Sequence, residues 1–274
     1  MSLTSRVLFT AALLVSAAAF AQNPYRLKTG ANGALCLDCH STVQEQMRLP
    51  HVHTPVRSGD CSDCHNPHAA SHGQLLATDA REICSDCHQD ILDVAAVSTH
   101  QAIVDGSCAT CHDPHASSNE NVLTSGGNEL CYGCHEEIQA KVEASEFGHA
   151  PVRQSCLTCH DPHMSAQAPG LLKQEMGALC RACHNTGQAS FVQRHMGYPV
   201  AESQCTSCHD PHGSSNSGIM LADVHAPLTN KLCNQCHNEP SSAEPLALKA
   251  SGVQLCRGCH NDVMNATLNK NRLH

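Results

Sequence analysis

All twenty cysteines of the 274-residue chain fall into ten copies of one short pattern, C-x-x-C-H. Two thiols held on one turn can add to the two vinyl groups of a haem, and the histidine that follows can bind the iron as its proximal ligand. The predicted attachment residues are Cys36, Cys39, Cys61, Cys64, Cys84, Cys87, Cys108, Cys111, Cys131, Cys134, Cys156, Cys159, Cys180, Cys183, Cys205, Cys208, Cys233, Cys236, Cys256 and Cys259. The predicted proximal ligands are His40, His65, His88, His112, His135, His160, His184, His209, His237 and His260.

Two other uses of paired cysteines explain this pattern less well. A disulfide framework is typical of exported chains with an even number of cysteines, but disulfides place no requirement on the residue after the second cysteine. Zinc ribbons of the Cys₄ type would use the thiols and leave ten adjacent imidazoles unexplained. The sequence therefore predicts ten covalently bound haem c groups.

Twelve further histidines lie outside the attachment patterns and can supply the second axial ligands. Some follow an attachment site as H-x-P-H, where proline fixes the backbone between two imidazoles, so we expect the second imidazole to bind a neighbouring haem. Methionine recurs at no fixed place, which favours mainly bis-histidine iron of low potential. The predicted distal ligands are His53, His68, His100, His115, His149, His163, His195, His212, His225 and His51, and the two predicted non-ligands are His72 and His274.

The elements that must position these residues repeat about every 48 residues. In each repeat, a first type of site, followed by H-x-P-H, comes before a second type, in which leucine or isoleucine precedes the first cysteine. The last two sites, at Cys233 and Cys256, both have the second type of sequence. Short helical patterns follow several second-type sites, and proline ends any helix after first-type sites. We predict mostly coil with short α-helices, a haem-filled core and little or no β-sheet.

The composition and the N-terminal segment of the chain limit the class of protein. Aromatic residues make up 3% of the chain and tryptophan is absent, so side chains alone do not provide an ordinary core. Residues 1–21 have the pattern of a cleaved signal peptide ending in Ala19-Phe20-Ala21, which predicts export to the periplasm of a single domain spanning 22–274. The excess of acidic residues argues against nucleic acid as a partner, and no later segment is long and apolar enough to span a membrane.

The repeat resembles the doubled C-x-x-C-H family of multihaem cytochromes over residues 36–260. The count of ten sites also resembles periplasmic decahaem cytochromes that pair with an outer-membrane β-barrel porin. This resemblance implies an electron-transfer protein, not an enzyme, that accepts electrons from a quinol-linked donor and passes them to an outer-membrane or terminal acceptor in anaerobic or extracellular respiration. The last pair of sites departs from the family pattern, because Asn238-Glu239-Pro240 stands where H-x-P-H is expected.

Two alternatives stay open at this point. One is a multihaem oxidoreductase of the nitrite or hydroxylamine type with one open iron. Against it, no C-x-x-C-K site occurs, and the spare histidines are numerous enough to close every iron. The other is a subunit of a haem filament, in which a histidine such as His51 or His274 completes a site on the next subunit.

Overall fold

Short helices joined by coil make up the computed structural model, which describes residues 33–92 and 95–268. The predicted signal peptide and His274 lie outside these residues. The predicted fold class is confirmed, since the described part contains two sheets of two short strands each. The α-helices are α1 (Ala34–Leu37), α2 (Ser41–Gln46), α3 (Thr54–Ser58), α4 (Ala80–Ser85), α5 (Gln101–Val104), α6 (Glu129–Tyr132), α7 (Glu136–Ala144), α8 (Ala150–Gln154), α9 (Met176–Arg181), α10 (Ala189–Arg194), α11 (Ala226–Thr229) and α12 (Val253–Leu268).

The attachment cysteines lie on two kinds of turn. One kind is α-helical, because α1, α4, α6, α9 and α12 each carry a C-x-x-C segment or its first cysteine. The other is a 3-10 turn at Cys61–Asp63, Cys108–Thr110, Cys156–Thr158, Cys205–Ser207 and Cys233–Gln235. Grouping Cys233 with the second type was therefore wrong. The leucine before it resembles that of the helical sites, but the backbone adopts the 3-10 form.

A turn with positive φ angles follows each of the four H-x-P-H segments and brings the chain back to the proximal histidine. Pairs such as Gln74-Leu75 and Asn121-Val122 have positive φ angles of 50–56°. The next residues form isolated bridges with the histidines, as in His65 with Leu76. Positive φ is unfavourable for residues with a Cβ, so these turns are held by the contacts that follow them.

The short strands interlock one repeat with the next. β1 (His51–Val52) pairs antiparallel with β3 (Ala116–Ser117), and β2 (Ser98–Thr99) pairs with β4 (Met164–Ser165). The third repeat makes the same contact as an isolated bridge between Phe147 and Ser214. Each pairing joins the start of one repeat to the segment just after H-x-P-H in the following repeat, so histidines distant in sequence approach each other.

The polypeptide buries few side chains of its own. Among the described residues, the buried hydrophobic side chains are Ala116, Val142, Ala168 and Tyr198. Large apolar side chains such as Leu35 and Val104 stay exposed, at 75% and 48%. In the part of the chain that the structure describes, no helix has both the length and the apolar character needed to cross a membrane. Protein atoms alone thus leave much apolar surface without cover, as expected for a chain that packs around an apolar cofactor.

Candidate haem-attachment sites

The attachment cysteines of consecutive sites lie beside one another. All twenty cysteines are within the described residues, and none of them forms a disulfide. In three pairs, burial and the neighbouring thiol together raise the pKa of the first cysteine to about 11: Cys84 beside Cys108, Cys131 beside Cys156, and Cys180 beside Cys205. The pKa of Cys61 is raised in the same way, by burial and then by Cys36.

The second cysteines of the 3-10 sites also lie near a cysteine of the next attachment site. Burial raises the pKa of Cys64, Cys111, Cys159 and Cys208, and the charge of a cysteine at the next site adds to the effect: Cys87, Cys134, Cys183 and Cys233 respectively. Cysteines of successive sites thus lie near enough to shift each other's pKa, first with first or second with second, except that Cys208 is influenced by Cys233, a first cysteine. From Cys36 to Cys233, the attachment sites follow each other in space in their order along the chain.

The proximal histidines of the 3-10 sites are oriented by backbone carbonyls. The Nδ1 atom of each of these imidazoles donates a hydrogen bond of 2.7–2.9 Å to the returning loop: His65 to Gln74, His112 to Asn121, His160 to Gly170, His209 to Gly218 and His237 to Leu246. A hydrogen bond at Nδ1 fixes the tautomer and leaves Nε2 as the atom for a metal. At the first four of these sites, the left-handed turn therefore holds the ring in a ligating orientation.

Most proximal histidines face a second imidazole at a nearly constant distance. Eight pairs of rings have their centres 5.8–6.2 Å apart. Four pairs join an early histidine of a repeat to the proximal histidine 35 residues later: His53 with His88, His100 with His135, His149 with His184, and His225 with His260. Three use H-x-P-H, namely His65 with His115, His112 with His163, and His160 with His212, and the eighth is His195 with His209.

This spacing fits one iron between each pair of rings. Imidazole nitrogens bind a metal at about 2 Å, so two rings on opposite sides of one metal have their centres about 6 Å apart. The H-x-P-H histidines face a proximal histidine two attachment sites upstream, as when His115 of the Cys108 site faces His65 of the Cys61 site. Burial lowers the pKa of His115, His163 and His212, which favours the neutral form that metals bind.

The two remaining predicted distal ligands are placed differently. His51 lies in β1, where it pairs with Ser117. His68 is exposed, and its backbone N–H donates to Asn66 Oδ1 at 3.1 Å. The predicted non-ligand His72 is also exposed and precedes the turn Gly73–Leu75.

Sequence reasoning missed Tyr198. Its ring centre lies 6.4 Å from that of His237, and its hydroxyl donates to the carbonyl of Asn238 at 2.9 Å. Within residues 33–92 and 95–268, no imidazole faces His40 or His237 as one faces each of the other eight proximal histidines. Spacing was the available signal, because Tyr198 precedes Cys205 by seven residues, just as His149 precedes Cys156.

The sites are built from pairs of ligands and not from larger clusters. Among the described residues, no three His, Cys, Asp or Glu side chains are grouped as a bare metal ion would require. Paired thiols on a turn, an oriented histidine beside them and a second imidazole opposite it are the donor set of haem c. Haem iron, when bound, supplies reversible one-electron chemistry. Fold and site together define a multihaem c-type cytochrome, a class that transfers electrons through covalently bound haem.

Comparison with known families agrees with this class. A family model with the description "Doubled CXXCH motif" (Paired_CXXCH_1) matches residues 53–92, 100–140, 149–189, 198–224 and 225–265, which together are more than half of the chain. The chain therefore belongs to the doubled CXXCH motif family. A search of curated proteins gave no match. Four of the matched segments contain two attachment sites, and the segment 198–224 contains one.

Proposed function

We propose that the protein is a periplasmic decahaem cytochrome that passes electrons along a chain of mainly bis-histidine haems. The observation that carries the proposal is the set of eight imidazole pairs at 5.8–6.2 Å, each of which includes one proximal histidine. Ten C-x-x-C-H patterns support the count of ten haems. Iron with two imidazole ligands is coordinatively saturated, which suits electron transfer better than substrate binding.

The order of the attachment sites supports conduction from one end of the chain to the other. The thiols of Cys36 and Cys61 interact, and so do three later pairs of first cysteines, so haems at these successive sites would be neighbours. The protein's own residues contribute position: hydrogen bonds at Nδ1 orient the proximal rings, and the interlocked strands bring the distal rings to them. Short and fixed spacing between neighbouring sites favours rapid transfer.

The proposed electron-transfer pathway follows from the predicted periplasmic location. The leader predicts export, and covalent haem suits an exported protein that receives electrons from a quinol-linked donor at the inner membrane. The acceptor in this proposal is an outer-membrane or terminal redox protein of anaerobic or extracellular respiration, and an outer-membrane β-barrel porin completes the complex. Cell fractionation with haem staining tests the location: we expect the stained band in the periplasmic fraction, and a band confined to the cytoplasm would contradict it.

A spectroscopic redox titration of the exported protein tests the electron-transfer function. We expect ten electrons to be taken up per chain over a broad range of low potentials, with mostly low-spin spectra in the oxidised state. A high-spin majority, or uptake that stops well short of the number of attached haems, would contradict bis-histidine conduction. Haem content measured on the same sample separates incomplete attachment from a different kind of ligation.

A further inference from the structure

An ion pair lies directly behind one of the histidines that face a proximal ligand. Lys141 Nζ, on α7, lies 2.7 Å from Asp210 Oδ2. Asp210 belongs to the H-x-P-H segment that carries His212, and its side chain is 17% exposed, so water screens the pair only in part. The other carboxylate oxygen of Asp210 accepts a hydrogen bond from the backbone N–H of His212 at 3.0 Å. One carboxylate thus links Lys141 to a predicted distal ligand.

The first repeat has the same contact with an uncharged side chain. Gln46 Nε2, at the end of α2, donates to Asp113 Oδ2 at 3.3 Å, and Asp113 Oδ1 accepts from the backbone N–H of His115 at 2.9 Å. Gln46 and Lys141 each lie six residues after the proximal histidine of a helical site. The equivalent residue of the repeat between them, Val94, lies outside the described residues. One position therefore holds a cation in one repeat and a neutral amide in another.

The carboxylate of Asp210 is placed to act on the ring of His212. Its Oδ1 atom lies 3.6 Å from Nδ1, the ring nitrogen that remains when Nε2 binds iron. A negative charge beside that nitrogen makes the imidazole a stronger donor, which stabilises oxidised iron and lowers its reduction potential. His212 faces His160 with ring centres 6.2 Å apart, so the iron concerned is that of the Cys156 site.

Lys141 opposes this effect of the carboxylate. An ammonium group in contact with a carboxylate offsets its charge, whereas a neutral amide leaves most of that charge in place. The effect of the lysine extends to the imidazole: burial lowers the pKa of His212, Asp210 raises it, and Lys141 is among the charges that lower it further. The haem that His212 would bind therefore has a nearly neutral pair behind its distal ligand.

We propose that Lys141 acts through Asp210 to raise the reduction potential of the haem at the Cys156 site. The amide of Gln46 gives no such effect at the Cys61 site, where Asp113 keeps its full charge. The inference rests on the proposed bis-histidine ligation and deepens it, because it names a residue that makes links of the haem chain energetically unequal. Equal ring spacings alone would not do so.

A redox titration of the fully loaded protein tests the proposal without assignment of individual haems. The area under the titration curve gives the sum of all midpoint potentials, so a shift at one haem appears in full. We expect Lys141→Gln to lower this sum by the equivalent of a roughly tenfold change in the oxidised-to-reduced equilibrium of one haem, or ~59 mV for one electron. Gln46→Lys, the reverse exchange in the first repeat, should raise the sum by a similar amount.

Two further variants separate a charge effect through the carboxylate from a structural one. Lys141→Arg keeps the charge and is expected to leave the sum close to that of the wild type. Asp210→Asn keeps the turn, since Asn66 makes the same backbone contacts in its own repeat. In the Asp210→Asn background, Lys141→Gln should lower the sum much less than it does in the wild type, because the group through which it acts is gone.

Electron paramagnetic resonance and intact mass on the same samples distinguish the possible failures. Each variant should keep its haems and its low-spin signal, because no axial ligand is removed. An unchanged sum in both Lys141→Gln and Gln46→Lys would overturn the inference, and so would an equal effect of Lys141→Gln with and without Asp210. Loss of low-spin signal in Lys141→Gln would also overturn it, by showing that the lysine supports ligation itself. A wild-type protein with mostly high-spin iron would instead refute the bis-histidine ligation, and this inference with it.

Discussion

At the scale of single residues, histidine has two different roles in this chain, as proximal and as distal ligand. Proximal histidines follow the attachment cysteines directly, and their role could be predicted from the sequence because the C-x-x-C-H pattern is local. The H-x-P-H histidines face proximal histidines of an earlier repeat, so the sequence predicted that these histidines recur but not their partners. His115 faces His65, for instance, which is 50 residues earlier in the chain. Long-range strand pairing decides such partners, and no local pattern encodes it.

Removing one proposed distal imidazole should change one haem and leave the others unaltered. We expect His163→Ala to convert roughly a tenth of the low-spin signal of the oxidised protein to high spin, since it vacates one of ten irons. Electron paramagnetic resonance of the loaded protein measures this change. His72→Ala is the matched control, because His72 is exposed and predicted to be a non-ligand. A wild-type spectrum for His163→Ala would show that this imidazole binds no iron.

At the scale of elements, a side chain within H-x-P-H shapes the turn that carries the distal histidine. Asp161 Oδ1 accepts hydrogen bonds from the backbone N–H groups of His163 and Met164, at 2.9 and 3.3 Å. Asp113 and Asn66 make the same pair of contacts in their own repeats. The sequence predicted that proline directs the second imidazole, and the structure adds this turn, which uses an Asp or Asn side chain.

The cost of losing this turn can be measured at Asp161. We expect Asp161→Ala to lower the free energy of unfolding by about 1 kcal/mol, because two backbone N–H groups lose their acceptor. Asp161→Asn should stay close to wild type, since Asn66 performs the same role in the first repeat. Denaturant titration followed by the Soret band gives both values. Equal destabilisation by the two substitutions would indicate that the negative charge matters and the turn does not.

The elements also show why sequence type alone misplaced one site. Leu232 precedes Cys233 as leucine precedes the cysteines of helical sites, yet Cys233–Gln235 forms a 3-10 turn. The difference lies downstream, where His237 pairs with Leu248 and donates through Nδ1 to Leu246. A returning loop of this kind distinguishes the two site types better than the residue before the first cysteine does.

At the scale of the whole molecule, the fold depends on contacts between repeats and on the cofactor. Few side chains are buried among the described residues, and each early repeat is tied to the next by a two-residue strand. Length, composition and repeat period were sufficient to predict a coil-rich chain with short helices. The interlocking of repeats could not be predicted, because strands of two residues leave no alternating pattern in a sequence.

Loss of one haem should therefore matter more in the middle of the chain than at its beginning. We expect the double substitution Cys131→Ser and Cys134→Ser to expose the neighbouring repeats to proteolysis, since sites with contacts on both sides lose their shared support. Replacing Cys36 and Cys39 with serine is the matched control at the start of the series, where fewer neighbours are affected. Limited proteolysis with mass mapping compares the two. Equal protection of both proteins would contradict interdependent repeats.

The central claim is that every C-x-x-C-H pattern carries a covalently attached haem. Intact mass spectrometry of the exported protein under denaturing conditions tests it most directly, together with a haem-stained denaturing gel. The predicted result is a single species heavier than its polypeptide by ten haem masses, with the stain retained on the band. A species whose mass matches the polypeptide alone, or the polypeptide with fewer than ten haems in fully matured protein, would contradict the account.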